Sequence, residues 1–116
     1  MAEMGDLIRM VQEFRDKRNW KQFHNPKDLA ISLTLEATEV LEHFQWKSKE
    51  EMETYVKSHK AEIGEELADV LYWVFLMGSD LDIDLSQAFI EKLKKNDAKY
   101  PVDKASGNHK KYTELQ

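Results

Sequence analysis

Two pairs of carboxylates, Glu36 with Glu39 and Glu66 with Asp69, stand three residues apart in segments of helical period. On a helix, residues three or four apart share a face. Leu29, Leu33, Glu36 and Val40 form one column, so Glu36 occupies a slot where the apolar stripe wants a Leu. Glu39 points from the neighbouring column towards the same place. In the second segment Glu62, Glu66, Asp69, Trp73 and Leu76 form a column that is acidic at one end and apolar at the other. Glu66 and Asp69 thus stand at the mouth of the run Val70 to Met77, which is apolar on all sides. Such a run is expected to be buried broadly, at a bundle centre or a subunit interface.

Burying an unpaired carboxylate is costly, and gathering like charges raises the cost. A cation relieves both. An oxygen-only, highly charged set selects a hard ion such as Mg²⁺, with Mn²⁺ as a substitute. Magnesium keeps several waters and shares its shell with substrate phosphates, so a phosphate ester or anhydride is the natural partner. Spacing alone fits a second arrangement equally, in which these acids pair with Lys or Arg across neighbouring helices. Glu50, Glu51 and Glu53 fall on a polar segment and read as a solvated face.

The elements that must position these groups are helical almost throughout, since four Gly and two Pro are the only strong punctuation. A first helix is expected from Asp6 to Lys17, with Leu7, Met10, Val11 and Phe14 on one face. The segment Asn19 to Asn25 is a loop. Asn25-Pro26 then supplies an N-cap and a proline at the first helical position, opening a second helix to about Trp46. Ser48 and Glu51 form a capping box for a polar helical segment, Lys49 to Lys60. A long helix from about Ala61 to Asp80 follows. A last one starts at Asp84 or Ser86 and ends near Lys99, ahead of Pro101. Residues 101–116 read as a flexible or substrate-covering tail with a turn at Ser106-Gly107-Asn108. The expected fold class is all-α, a four-helix bundle formed by a single domain over residues 1–116.

Composition narrows the classes further. The 116 residues carry 22 acids against 17 Lys and Arg, a net charge of −5, which argues against polynucleotide binding. The chain is 41% hydrophobic, with three Trp, four Tyr and five Phe, which is enough for a core. No cysteine is present, which excludes disulfides, thiol catalysis and Cys-ligated zinc. The N-terminus lacks an apolar signal region, and the eight-residue run Val70 to Met77 falls well short of the roughly 20 residues that span a bilayer. A soluble, cytoplasmic protein without a membrane partner is expected. So is a homo-oligomer, because a chain this short with so apolar a helix gains from burying more surface.

At the acid pairs the sequence resembles the MazG-like, all-α nucleoside triphosphate pyrophosphohydrolases, most of all their dCTP pyrophosphatase branch. The pattern ExxE, spacer, ExxD reads here Glu36-Ala-Thr-Glu39 and Glu66-Leu-Ala-Asp69, with 26 residues between. The likeness covers nearly the whole chain. It extends to Trp20-Lys-Gln-Phe23-His24-Asn-Pro26, Phe44-Gln-Trp46, Lys92-x-x-x-Asn96, Tyr100-Pro101 and Lys111-Tyr112-Thr113-Glu114-Leu115. It implies hydrolysis of a deoxynucleoside triphosphate, dCTP or a modified dCTP, to monophosphate and pyrophosphate, a sanitation of the nucleotide pool. It implies that Glu36, Glu39, Glu66 and Asp69 hold Mg²⁺ and form the catalytic set. It places Lys92, Asn96, Lys99 and Lys111 at the phosphates and Trp20, His24, Trp46 and Trp73 at the base, and it implies a dimer or a dimer of dimers. Where the similar enzymes have Tyr, this chain has Trp73 beside Tyr72, so another base, such as that of dUTP, is the alternative.

Two competing readings are weaker. A di-iron bundle needs two Glu-x-x-His pairs. None occurs here, because Val40, Val56 and Ser106 stand three residues before His43, His59 and His109, and Lys21 before His24. A non-enzymatic helical interaction module explains the Val70 to Met77 run and leaves the acid pairs without a purpose.

Overall fold

The structure, a computed structural model, describes residues 2–107, and every regular element in them is helical. The elements are α1 (Met4–Lys17), a 3₁₀ turn (Lys21–Phe23), α2 (Pro26–Glu42), α3 (Lys49–Ser58), α4 (Lys60–Asp80), α5 (Leu85–Lys99) and α6 (Val102–Ala105). The described chain divides into two compact units, one ending at Asp82 and one starting at Ile83.

In the first unit the ends of the helices follow from local chemistry. Asn25 accepts the Asp28 N–H at 2.9 Å, and Pro26 opens α2. Ser48 and Glu51 exchange reciprocal bonds at the start of α3. α1 begins two residues earlier than its spacing predicts, because Glu3 and Asp6 build a capping box without the usual Ser or Thr. α2 stops at Glu42, four residues before the expected end at Trp46. There the chain tightens into i→i+3 bonds, from Phe44 N–H to Leu41 C=O and from Lys47 N–H to Phe44 C=O. The Lys47 ammonium satisfies the freed His43 carbonyl at 2.6 Å.

α4 is the central element of this unit. α2 packs along it, and α1 and α3 rest against it. Among the described residues the buried apolar side chains are few: Leu29, Phe75 and Leu76. The run Val70 to Met77 is buried or half-buried except at Leu71, which remains 48% exposed. The expectation of cover on all sides therefore does not hold within one chain. Among the described residues the one buried charged side chain is Arg15, whose guanidinium meets Asp80 through two 2.7 Å hydrogen bonds and ties α1 to the end of α4.

In the second unit Asp84 caps α5 by accepting the Gln87 N–H at 3.0 Å, which decides between the two expected starts. α5 ends at Lys99, ahead of Pro101. The proline then serves as N-cap for the single turn α6, so residues 102–105 of the expected tail are helical. Among the described residues no helix is long and apolar enough to cross a membrane.

Candidate active site

α2 and α4 bring together the acids that interrupt their apolar stripes. Glu36, Glu39 and Glu66 each offer a carboxylate oxygen, and the three oxygens lie within 4.8 Å of one another. Glu36 and Glu66 are half-buried and Glu39 is exposed. One oxygen of Glu36 and one of Glu66, both Oε2, are buried with no hydrogen-bond partner. Among the described residues no Lys or Arg ion pair reaches Glu36, Glu39, Glu66 or Asp69. Among the described residues, then, these acids do not adopt the ion-paired arrangement. The ion-paired arrangement is realised by Arg15 and Asp80 instead.

Unneutralised, the cluster holds protons tightly. Burial, then the charges of Glu39 and Asp69, push the Glu36 carboxyl up to about 7. Glu66 is raised by burial, then by a hydrogen bond with Glu39 and by the charges of Glu39 and Asp69. Asp69 lies outside the trio of converging oxygens, three residues along α4 from Glu66, yet its charge acts on both of them. An all-oxygen donor set, with two buried oxygens unbonded, fits a divalent cation.

This has a measurable consequence. An acid whose pKa is raised on folding keeps its proton in the native state after the unfolded chain has lost it. Stability of the metal-free protein is therefore expected to fall as pH rises from about 4.5 to about 7, and to level off above. Thermal unfolding in chelator across that window checks it. The slope should be smaller in Glu36→Gln, and a melting temperature that rises through the window would contradict the cluster.

Two recesses flank the trio. One, of about 280 Å³, is lined by Phe14, Trp20, Glu36, Asp69, Tyr72 and Trp73. Its aromatic walls are fixed by edge-to-face contacts, with ring centroids 5.9 Å apart for Phe14 and Trp20, 6.0 Å for Phe14 and Tyr72, and 5.0 Å for Tyr72 and Trp73. The Arg18 guanidinium lies 3.7 Å from the Phe14 ring centroid and 5.8 Å from that of Trp20. His24 sets its ring edge-on to Trp73 at 5.6 Å. Burial and the nearby Arg15 lower its pKa, so it is held neutral. The other recess, of about 210 Å³, is lined by Glu39, Glu42, His43, Tyr55 and Glu66. A larger hollow of about 700 Å³ on α3, with Phe44, Met52 and Val56 among its walls, contains none of the four acids.

Of the expected base contacts, Trp20 and Trp73 line the aromatic recess and His24 touches Trp73. Trp46 does not join them. It follows the end of α2 and is 87% exposed. Lys92 and Asn96 share one face of α5, Lys92 exposed and Asn96 half-buried, and Lys99 ends that helix. Lys111 lies outside the described residues, as do His109, Lys110 and Tyr112. Sequence reasoning missed Phe14 and Tyr72 as recess walls, the Arg18 guanidinium over the Phe14 ring, and the Arg15–Asp80 pair. The signal for the pair was present. Arg15 follows Leu7 and Val11, and Asp80 follows Trp73 and Leu76, at the same spacings that singled out Glu36.

A family model described as the MazG-like family matches residues 31–115. The chain is 38% identical to dCTP pyrophosphatase 1 of Mus musculus over 114 residues, which is 97% of this chain and 67% of the relative. It is 36% identical to dCTP pyrophosphatase 1 of Homo sapiens, with the same shares of both chains. A crystal structure of a pyrophosphatase from Archaeoglobus fulgidus superposes with a TM-score of 0.81 at 38% identity, over 87% of this chain and 94% of that one.

Proposed function

The chain belongs to the MazG-like family, and from that we propose that it is a nucleoside triphosphate pyrophosphohydrolase acting on dCTP or a modified dCTP. Water attacks the α-phosphorus, the bond to the β-phosphate oxygen breaks, and monophosphate and pyrophosphate leave. The observation that carries this reading is the Glu36, Glu39 and Glu66 trio with its two unbonded buried oxygens, set directly beside an aromatic recess.

Glu36, Glu39, Glu66 and Asp69 would hold the cation, Mg²⁺ or in its place Mn²⁺. When bound, it neutralises phosphate charge and lowers the pKa of a coordinated water. The chain's own groups do the rest. Trp20, Tyr72 and Trp73 present flat apolar faces to the base and keep water off it. Neutral His24 offers one ring N–H beside Trp73. Glu36 and Asp69 border that recess, so they meet the end of the nucleotide nearest the sugar. The carboxylates are also the bases on hand to receive the proton of the attacking water. Lys92, Asn96, Lys99 and Lys111 serve the phosphates in this reading, Lys by charge and Asn by its amide N–H.

We read both compact units as one catalytic domain that completes a four-helix bundle in a cytoplasmic homo-oligomer. Support comes from the thin core and from large apolar side chains left open, among them Ile31, Leu35, Leu67 and Leu71 at 47–59% exposure. Sedimentation at micromolar concentration should show at least a dimer, and a lone 13.7 kDa species would contradict it. The activity itself is tested with Mg²⁺ and a panel of dCTP, base-modified dCTP, dUTP and dTTP. Pyrophosphate and monophosphate should appear, fastest with a cytosine nucleotide. Orthophosphate with diphosphate would place the attack elsewhere, and faster dUTP turnover would shift the substrate.

A further inference from the structure

The seam between α2 and α4 runs in a line. Along α4 it passes from Trp73 through Asp69 to Glu66, while along α2 it passes from Glu36 through Glu39 to Glu42 and His43. A nucleotide with its base in the aromatic recess and its α-phosphate at the acid trio therefore extends its remaining phosphates towards the second recess. Three of the five residues lining that recess are carboxylates, Glu39, Glu42 and Glu66. Ionised, they can only accept hydrogen bonds. The donors available there are the Tyr55 hydroxyl and the His43 imidazole.

These two groups are bonded to each other, His43 Nδ1 to Tyr55 Oη at 2.5 Å. Neutral imidazole carries one N–H. If the phenol donates to Nδ1, the Nε2–H of His43 is left over. If Nδ1–H donates to the phenol oxygen, the phenol hydrogen is left over. Either way the pair keeps one hydrogen for an anion. The phenol ring is also fixed in place. It stacks on His59 at 3.9 Å with an interplanar angle of 6°, meets Phe44 edge-on at 6.0 Å, and lies 4.2 Å from the Lys47 ammonium. A donor held this way loses little freedom on binding.

Resting on the reading of the chain as a triphosphate pyrophosphohydrolase, we propose that Tyr55 and His43 bind the pyrophosphate portion of the substrate, the part that leaves. Lys92, Asn96 and the metal ligands do not account for this contact, which comes from α3 and the turn after α2.

The test compares product inhibition in wild type, Tyr55→Phe and His43→Leu, with Mg²⁺ present and melting curves to establish that each variant is folded. Phe keeps the ring that stacks on His59 and removes only the hydroxyl. The inhibition constant for inorganic pyrophosphate should rise roughly 10- to 100-fold in Tyr55→Phe, the range for a bond to a charged group. The constant for the nucleoside monophosphate should stay within about twofold. His43→Leu should give the same selective pattern. An unchanged pyrophosphate constant, or equal loss for both products, would overturn the assignment while wild-type turnover leaves the functional reading intact. A wild type that hydrolyses no triphosphate would remove the functional reading and this one with it.

Discussion

Glu36→Gln is expected to lower kcat by a factor on the order of 10³ or more while leaving the fold intact, because it removes a charge from the proposed cation site at the edge of the aromatic recess. Glu36 has a buried oxygen without a partner and a carboxyl pushed up to about 7 by burial and by Glu39 and Asp69. The neutral amide keeps the shape and removes the repulsion. The metal-free variant should therefore melt higher than metal-free wild type at neutral pH, and it should gain far less stability from added Mg²⁺. Opposite signs for activity and apo stability separate a ligand from a structural residue, whose loss lowers both. Asp69→Asn should also abolish turnover, with a smaller gain in melting temperature, since Asp69 stands outside the converging trio. Steady-state kinetics beside calorimetry with and without Mg²⁺ measure both quantities. Wild-type turnover in either variant would take that residue out of the metal site.

Arg15→Ala should cost about 3 kcal/mol of stability, the lower end of the range for breaking a buried pair, because Asp80 keeps some contact with solvent. Arg15 is 2% exposed and bonds both Asp80 oxygens at 2.7 Å. Its guanidinium holds the Asp80 carboxyl below the usual carboxylate range. Removing it leaves an acid without a partner where α1 meets α4. The damage should reach function. Arg15 also sits 3.4 Å from His24, and its carbonyl accepts the Trp20 N–H at 3.2 Å, so the segment that carries both recess residues is anchored here. A raised KM with a smaller change in kcat is the expected kinetic signature. Replacing both partners by Leu should recover much of the lost stability, since an apolar pair leaves no buried charge behind. Denaturant unfolding of the two single variants and the double variant measures this. A cost below about 1 kcal/mol for Arg15→Ala would mean that the pair does not hold α1 to α4.

The two charged sites teach one lesson from opposite sides. Glu36, Glu66, Arg15 and Asp80 all interrupt apolar stripes at helical spacing, and that interruption is visible in the linear sequence. Its meaning is not. Arg15 and Asp80 find each other and cancel. Among the described residues Glu36 and Glu66 meet further carboxylates and no Lys or Arg ion pair. Periodicity says which face of a helix a residue occupies, because residues three and four apart are neighbours whatever else the chain does. It does not say which faces meet.

Capping chemistry is equally local, which is why Asn25-Pro26 and the Ser48 and Glu51 box were legible and Asp84 was one of two expected starts for α5, and why the all-helical class followed from composition and period. The early end of α2 was not legible. Phe44 to Trp46 continue the helical pattern, and the turn shows only in the i→i+3 backbone bonds of Phe44 and Lys47 and in the Lys47 ammonium on the His43 carbonyl. The same limit applies to the site. The four acids, Trp20 and Trp73 were named from spacing and resemblance. The convergence of Glu36, Glu39 and Glu66 within 4.8 Å, the separation of Asp69 from that trio, and the meeting of Tyr55 with His43 across 12 positions depend on how helices distant in sequence align. Sequence by itself determined the helices, their charged interruptions and the family. Tertiary structure decided which interruptions meet an opposite charge and which meet other carboxylates, because that depends on the register between α1, α2, α3 and α4, a relation no local spacing encodes.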